Sequence, residues 1–233
     1  MSFPFFYETG IPQPGLHFTL SEETSKHCIQ VLRMKGGAYL NLTDGLGSLY
    51  KASIVNEDKR KTAVLIEEVK QIDPPEKRVC IALSLLKNIT RFEWFLEKAT
   101  EIGVTAIQPL ICDHTEHERF RFDRMNGILI SAMLQSQQSW LPCLHEPVKC
   151  VTFIRQAVFD QKLIAHCDDA GKQLIQAIPT SNNTVMLIGP EGDFSPEEIR
   201  LALENDFLPV SLGNTRLRAE TAAIVASSLL MYR

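Results

Sequence analysis

"VMLIGPEGDFSPEEI", residues 185–199, runs an apolar segment into a tight turn and the turn into a helix. Val185–Ile188 are all apolar, as in a strand buried on both faces of a parallel sheet. Gly189, Pro190, Glu191, Gly192 and Asp193 make the turn. Ser195 with Glu198 three residues on forms a capping box, and Pro196 takes the first helical position, so the helix start is firmly specified.

The same rhythm extends to both sides. Apolar strands are predicted over 79–86, 105–112, 162–167, 185–189 and 207–213, alternating with helices over 91–103, 122–138, 171–178, 195–205 and 219–232. That alternation predicts a doubly wound α/β domain. Upstream the pattern changes to short alternating strands, "AYLNLTDG", "LYKASIVN" and "KTAVLIEEV", as in a small barrel or sandwich, interrupted by one helix with Ser21 as N-cap. The joint "IDPPEK" is stiff and polar, and places the boundary between domains 1–72 and 73–233.

Lys plus Arg number 24 against 28 Asp plus Glu, a formal charge of −4, so any contact with nucleic acid must be local. Local basic candidates are Lys26, Arg33 and Lys35, the turn "DKRK", and Arg119, Arg121 and Arg124. The start, MSFPFFYETG, does not read as a secretory signal, and no apolar run reaches the ~18 residues of a membrane span. Six scattered cysteines without a C-x-x-C pair read as free thiols of a reducing compartment, the cytoplasm. Cys112, His114 and His117 are metal-ligand types in a short span, but no fourth ligand stands at familiar spacing, so no metal is expected.

In open α/β sheets ligands bind beyond the carboxyl ends of strands. The 189–193 turn lies there, yet it is no P-loop: it lacks the lysine, and Glu191 and Asp193 would repel a polyanion. A neutral or cationic ligand fits better. A second loop, "VSLGNTRLRAETAA", also leaves a buried strand through glycine, and the two together predict opposite walls of one pocket. His166, Cys167, Asp168 and Asp169 follow another strand end and border it in this reading; Arg218 with Glu220 reads otherwise as a local ion pair.

"LIGPEGDFSPEEI" followed by "SLGNTRLRAETA" resembles the paired signature of the RsmE family, SPOUT methyltransferases that act on N3 of a uridine in the decoding region of 16S rRNA with S-adenosylmethionine. "FLEKATEIGV" with "IQPL", and "HCIQVLRMKGG", resemble its other segments. The resemblance implies a PUA-like β-barrel followed by an α/β domain tied in a trefoil knot, and a homodimer acting on 16S rRNA within a small-subunit particle. Carried over, Gly189, Pro190, Glu191, Gly192, Leu212, Gly213, Leu217, Arg218 and Thr221 hold the cofactor. The chemistry of N3 methylation selects Arg218 to stabilise the uracil anion, with Glu220 and then Glu191 as its orienter or the proton acceptor. Lys26, Arg33 and Lys35 are the candidates for RNA, Arg33 gaining most from the resemblance. A ribose 2′-O-methyltransferase and a non-catalytic RNA-binding protein are the alternatives. The chain departs from the family pattern at Asp193, where glycine is usual, at Ala219, and on the substrate side at His117 and Gln138.

Overall fold

The computed structural model describes residues 3–167 and 171–233, in two compact units, Met1–Pro74 with Met133–Leu141, and Pro75–Ala132 with Pro142–Arg233.

The first unit contains β1 (Phe5–Tyr7), β2 (His17–Thr19), α1 (Glu22–Lys26), β3 (Tyr39–Thr43), β4 (Ser48–Asn56) and β5 (Ala63–Gln71). The strands form one sheet in the order β1-β3-β4-β5-β2. Their alternation buries one face: Leu40, Leu42, Tyr50, Ala52, Ile54, Val64 and Ile66 share a core with Phe6, Leu20, Cys28 and Met34. Ser21 caps α1 by accepting the Thr24 N–H. The predicted continuous helix over 21–34 instead passes into π-helix at His27–Val31, and Arg33 then takes a left-handed conformation, φ 53°. Residues 133–141 belong to this unit: the Trp140 indole N–H reaches the carbonyls of Ile72 and Asp73 at 3.1 and 3.0 Å.

The second unit contains β6 (Arg78–Ser84), α2 (Ile89–Ile102), β7 (Ala106–Ile111), α3 (Phe122–Gln135, which ends in the first unit), β8 (Cys143–Leu144), β9 (Val148–Lys149), α4 (Cys150–Gln156), β10 (Gln161–Ala165), β11 (Gln173–Leu174), β12 (Asn183–Ile188), α5 (Pro196–Glu204), β13 (Leu208–Ser211) and α6 (Ala219–Met231). Its strands run β11-β13-β10-β12-β6-β7-β8, with β9 also on β7, and every pairing is parallel. The helix predicted over 171–178 is replaced by β11 and a single 3-10 turn, Ile175–Ala177. Its backbone pairs with β13 rather than with itself.

Successive side chains of the central strands enter different layers. Cys80, Ala82, Val185 and Leu187 join Cys150, Ile154 and Ala202 of α4 and α5, while the opposite face of β6 and β12 is covered by α6. This is why the strands read as unbroken apolar runs. Helix α2 starts at an Asn88 cap, stops at left-handed Gly103, and packs on α6. Its buried stripe, Phe92, Phe95, Leu96 and Ala99, has helical spacing. Each large member contributes about 1.5–3 kcal/mol by leaving water, and Phe95→Ala would cost about 3–5 kcal/mol. At the far end of α6, the Lys77 ammonium caps the carbonyls of Leu230 and Met231 at 3.4 and 3.1 Å.

Because the strands are parallel, their carboxyl ends lie along one edge of the sheet. The segments that leave β6, β7, β10, β12 and β13 there build the site.

Candidate active site

The segment after β12 is the hub. The capping box of α5 forms as read: Ser195 Oγ accepts the Glu198 N–H at 3.3 Å and Glu198 Oε2 accepts the Ser195 N–H at 2.9 Å. Such a cap contributes about 1 kcal/mol. Here it also reaches outward, since Glu198 Oε1 accepts the Asp113 N–H at 3.1 Å and Ser195 Oγ donates to Asp113 Oδ2 at 2.5 Å. Helix α5 is thereby fastened to the segment after β7.

Three further ties fix the turn before that helix. The Lys87 N–H, beyond β6, donates to Glu191 Oε1 at 3.2 Å. His114 Nδ1 lies 3.1 and 3.0 Å from the carbonyl oxygens of Gly192 and Asp193, so it must carry the hydrogen and donate. Asp193 accepts the Cys167 N–H, beyond β10, at 2.7 Å. Glycine at 189 and 192 follows from close approach. A Cβ on Gly189 would stand 3.1 Å from Phe194, and one on Gly192 would stand 3.2 Å from His114 Cβ.

Between this turn and the segment after β13 lies a cavity of about 850 Å³. That is ample for a nucleoside-sized ligand, small-molecule sites being about 300–1,000 Å³. Of the residues selected from sequence, Gly189, Pro190, Glu191, Leu212, Gly213, Leu217 and Arg218 line it together. Gly192, Glu220 and Thr221 do not: Gly192 faces His114, and buried Glu220 points toward Arg91 of α2, Oε1 to Nε 3.6 Å. The expected local pair of Arg218 with Glu220 is therefore not formed, and Arg218 makes no ion pair among the described residues. A third wall comes from Ala165, His166 and Cys167 after β10, with Lys172. The strand end at Ala165 was its only signal in the sequence, and Asp168 and Asp169 lie outside the described residues. Burial, then the charge of Asp193, pushes the Cys167 thiol up.

The possible metal ligands of the 112–117 segment diverge. Cys112 turns into the core, His114 faces the Gly192 and Asp193 carbonyls, and His117 lines a different cavity. Cys112 instead meets Cys150 and Glu198, with donor atoms within 4.8 Å of one another. Contact with Cys112 and burial push the Cys150 thiol far up, which keeps it protonated, and the Glu198 carboxylate is already taken by two backbone N–H groups. This is a hydrogen-bonded core cluster rather than a set of ready ligands.

The second cavity, about 560 Å³, has an apolar floor of Leu85, Leu86, Ile89 and Met125 beneath a charged rim. Lys87 pairs with Glu116 at 2.7 Å and Arg124 grips Glu93 through two nitrogens, whereas Arg119 and Arg121 make no ion pair among the described residues. In the first unit, Lys26 pairs with Glu22 and Lys35 with Glu57, whereas Arg33 is exposed and has no ion pair among the described residues.

Residues 73–231 match the family model of an RNA methyltransferase domain, and residues 20–67 that of an RNA methyltransferase PUA domain. A Synechocystis protein named ribosomal RNA small subunit methyltransferase E is 31% identical over 92% of this chain and 73% of its own length. The chain belongs to the ribosomal RNA small subunit methyltransferase E family. Solved relatives agree. A Neisseria gonorrhoeae ribosomal RNA small subunit methyltransferase E bound to S-adenosyl methionine superimposes with TM-score 0.87 at 28% identity, covering 97% of this chain and 95% of the other. A Legionella pneumophila protein in complex with the cofactor SAM gives 0.89 at 34% identity, covering 99% and 97%.

Proposed function

We propose that this protein transfers the methyl group of S-adenosylmethionine to N3 of a uridine in the decoding region of 16S rRNA. The reaction class, S-adenosylmethionine-dependent methylation of small-subunit rRNA, is that of the family to which the chain belongs. The observation that carries the reading is the single cavity formed by the 189–193 and 212–218 segments.

The residues present fit the cofactor. Leu212 and Leu217 offer apolar surface for an adenine, Gly189 and Gly213 allow close approach of backbone, and Glu191 supplies negative charge for a sulfonium. When bound, S-adenosylmethionine supplies an electrophilic methyl group. The chain must hold the uracil in line with it and stabilise the anion left when N3 gives up its proton to solvent. Arg218, at the cavity and without an ion pair among the described residues, is the group for that anion, since guanidinium stays charged and donates two aligned hydrogen bonds. Glu191 orders the turn through the Lys87 N–H, and Glu220, oriented by Arg91, lies in α6 between Ala219 and Ala222, which both line the cavity.

Arg33 in the PUA domain, with Lys26 and Lys35, and Arg119 and Arg121 at the second cavity are the groups for RNA phosphates. The substrate in this reading is a small-subunit particle, and the enzyme a cytoplasmic homodimer with a trefoil-knotted C-terminal domain; no helix among the described residues is long and apolar enough to cross a membrane. Purified protein incubated with S-adenosylmethionine and small subunits lacking the modification should form 3-methyluridine. Formation of a 2′-O-methyl nucleoside, or of no methylated product despite cofactor binding, would overturn the assignment.

A further inference from the structure

We infer that Asp193 is a positioning residue: its carboxylate presets the cofactor cavity by fastening the segment after β10 to the turn after β12. This rests on the reading of that cavity as the S-adenosylmethionine site. Asp193 has φ 65°, a left-handed conformation that aspartate tolerates better than most residues. Backbone shape alone would be served by glycine, which adopts a positive φ freely. What the aspartate adds is two acceptors. Oδ1 takes the N–H of Phe194, its own neighbour, at 2.9 Å, and Oδ2 takes the N–H of Cys167 at 2.7 Å.

The second bond crosses from one wall of the cavity to another. Asp193 and Cys167 both line it, and Cys167 follows Ala165 and His166, which line it too. Strands β10 and β12 are adjacent and in register up to Ala165 and Ile188, and among the described residues their ladder ends there. The carboxylate connects the segments beyond it through a bond of the charge-assisted kind, roughly twice as strong as a neutral one. His114 braces the same residue from the other side by donating to the Asp193 carbonyl. The turn therefore carries its third wall with it. Ordering that wall before the cofactor arrives removes part of the entropy cost of binding.

The test compares wild type with Asp193→Gly, which keeps the positive φ and deletes the tie, and with Asp193→Asn, which keeps one acceptor oxygen. The dissociation constant for S-adenosylmethionine should rise about tenfold in Asp193→Gly and less in Asp193→Asn. At saturating cofactor, kcat should stay within about twofold of wild type, so that the loss appears in KM. Amide hydrogen exchange at Cys167 should accelerate at least about tenfold in cofactor-free Asp193→Gly. Unchanged cofactor affinity in Asp193→Gly, or unchanged exchange at Cys167, overturns the inference while leaving the cofactor site intact. Failure of the wild type itself to bind S-adenosylmethionine removes the site, and the inference with it.

Discussion

Glu220 and Arg91 face each other between α6 and α2, carboxylate oxygen to guanidinium nitrogen 3.6 Å. Glu220 is 93% buried by its 7% exposure, and its other oxygen, Oε2, has no hydrogen-bond partner. A buried carboxylate with one distant partner is sensitive to losing it. Arg91→Ala should therefore destabilise the fold by about 1–3 kcal/mol, more than Glu220→Gln, and the double variant should recover part of the loss. Urea denaturation of the four proteins checks this; equal stabilities of Arg91→Ala and wild type would remove the pair as a structural element.

Arg218 separates binding from chemistry. It lines the cavity, caps α6 only by position, and has no ion-pair partner among the described residues to lose. Arg218→Ala should reduce methyl transfer by about 10²–10³, the scale for removing one group that stabilises a developing anion. Calorimetry should still register S-adenosylmethionine binding. Unchanged turnover would take Arg218 out of the mechanism.

Thiol reactivity should divide the six cysteines. Cys143 and Cys167 are exposed, and Cys28, Cys80, Cys112 and Cys150 are buried. Burial pushes Cys28 up to about 11 and Cys80 to about 12. A raised value means less thiolate at pH 8, so a disulfide reagent should modify two thiols quickly, Cys167 more slowly than Cys143, and S-adenosylmethionine should slow Cys167 further. The sign for stability follows from proton binding. Above about pH 9 the unfolded chain gives up the Cys28 and Cys80 protons while the native chain keeps them, so stability falls as pH rises toward 11. Urea midpoints at pH 8 and pH 10 should show the decline.

Much of this was legible in the sequence because it depended on local chemistry. The capping box at Ser195 and Glu198, the N-cap at Ser21, strands β3, β4 and β5 and the two glycine-bearing segments all follow from residues close together in the chain, whereas β1 and β2 were not read from it. Long-range choices were not. Residues 173–174 become strand only because β13 offers an edge, and residues 175–177 then have room for a single 3-10 turn instead of a helix. The π-helix at His27–Val31 leaves no mark on hydrophobic spacing. Glu220 has the position of a partner for Arg218, yet its side chain leaves α6 on the face packed against α2. Asp193 looked like a misplaced acid until the Cys167 N–H supplied its partner.

RNA affinity should depend more on Arg33 than on Lys26 or Lys35 of the PUA domain. Lys26 and Lys35 already have carboxylate partners at 2.7 and 3.3 Å, whereas Arg33 is held out in its left-handed turn. Arg33→Ala should weaken binding to small subunits and lower the slope of log affinity against log salt by about 1, while Lys26→Ala and Lys35→Ala do less. Filter binding from low to moderate salt measures all three. Association insensitive to salt would contradict a phosphate contact.

The most direct test uses the product. Mass spectrometry of nucleosides from 16S rRNA, in a strain lacking the gene and in the same strain with it returned, should show 3-methyluridine lost and then restored, and not restored by the Arg218→Ala gene. An unchanged level of 3-methyluridine in the deletion strain, or loss of a 2′-O-methyl nucleoside in its place, would contradict the account.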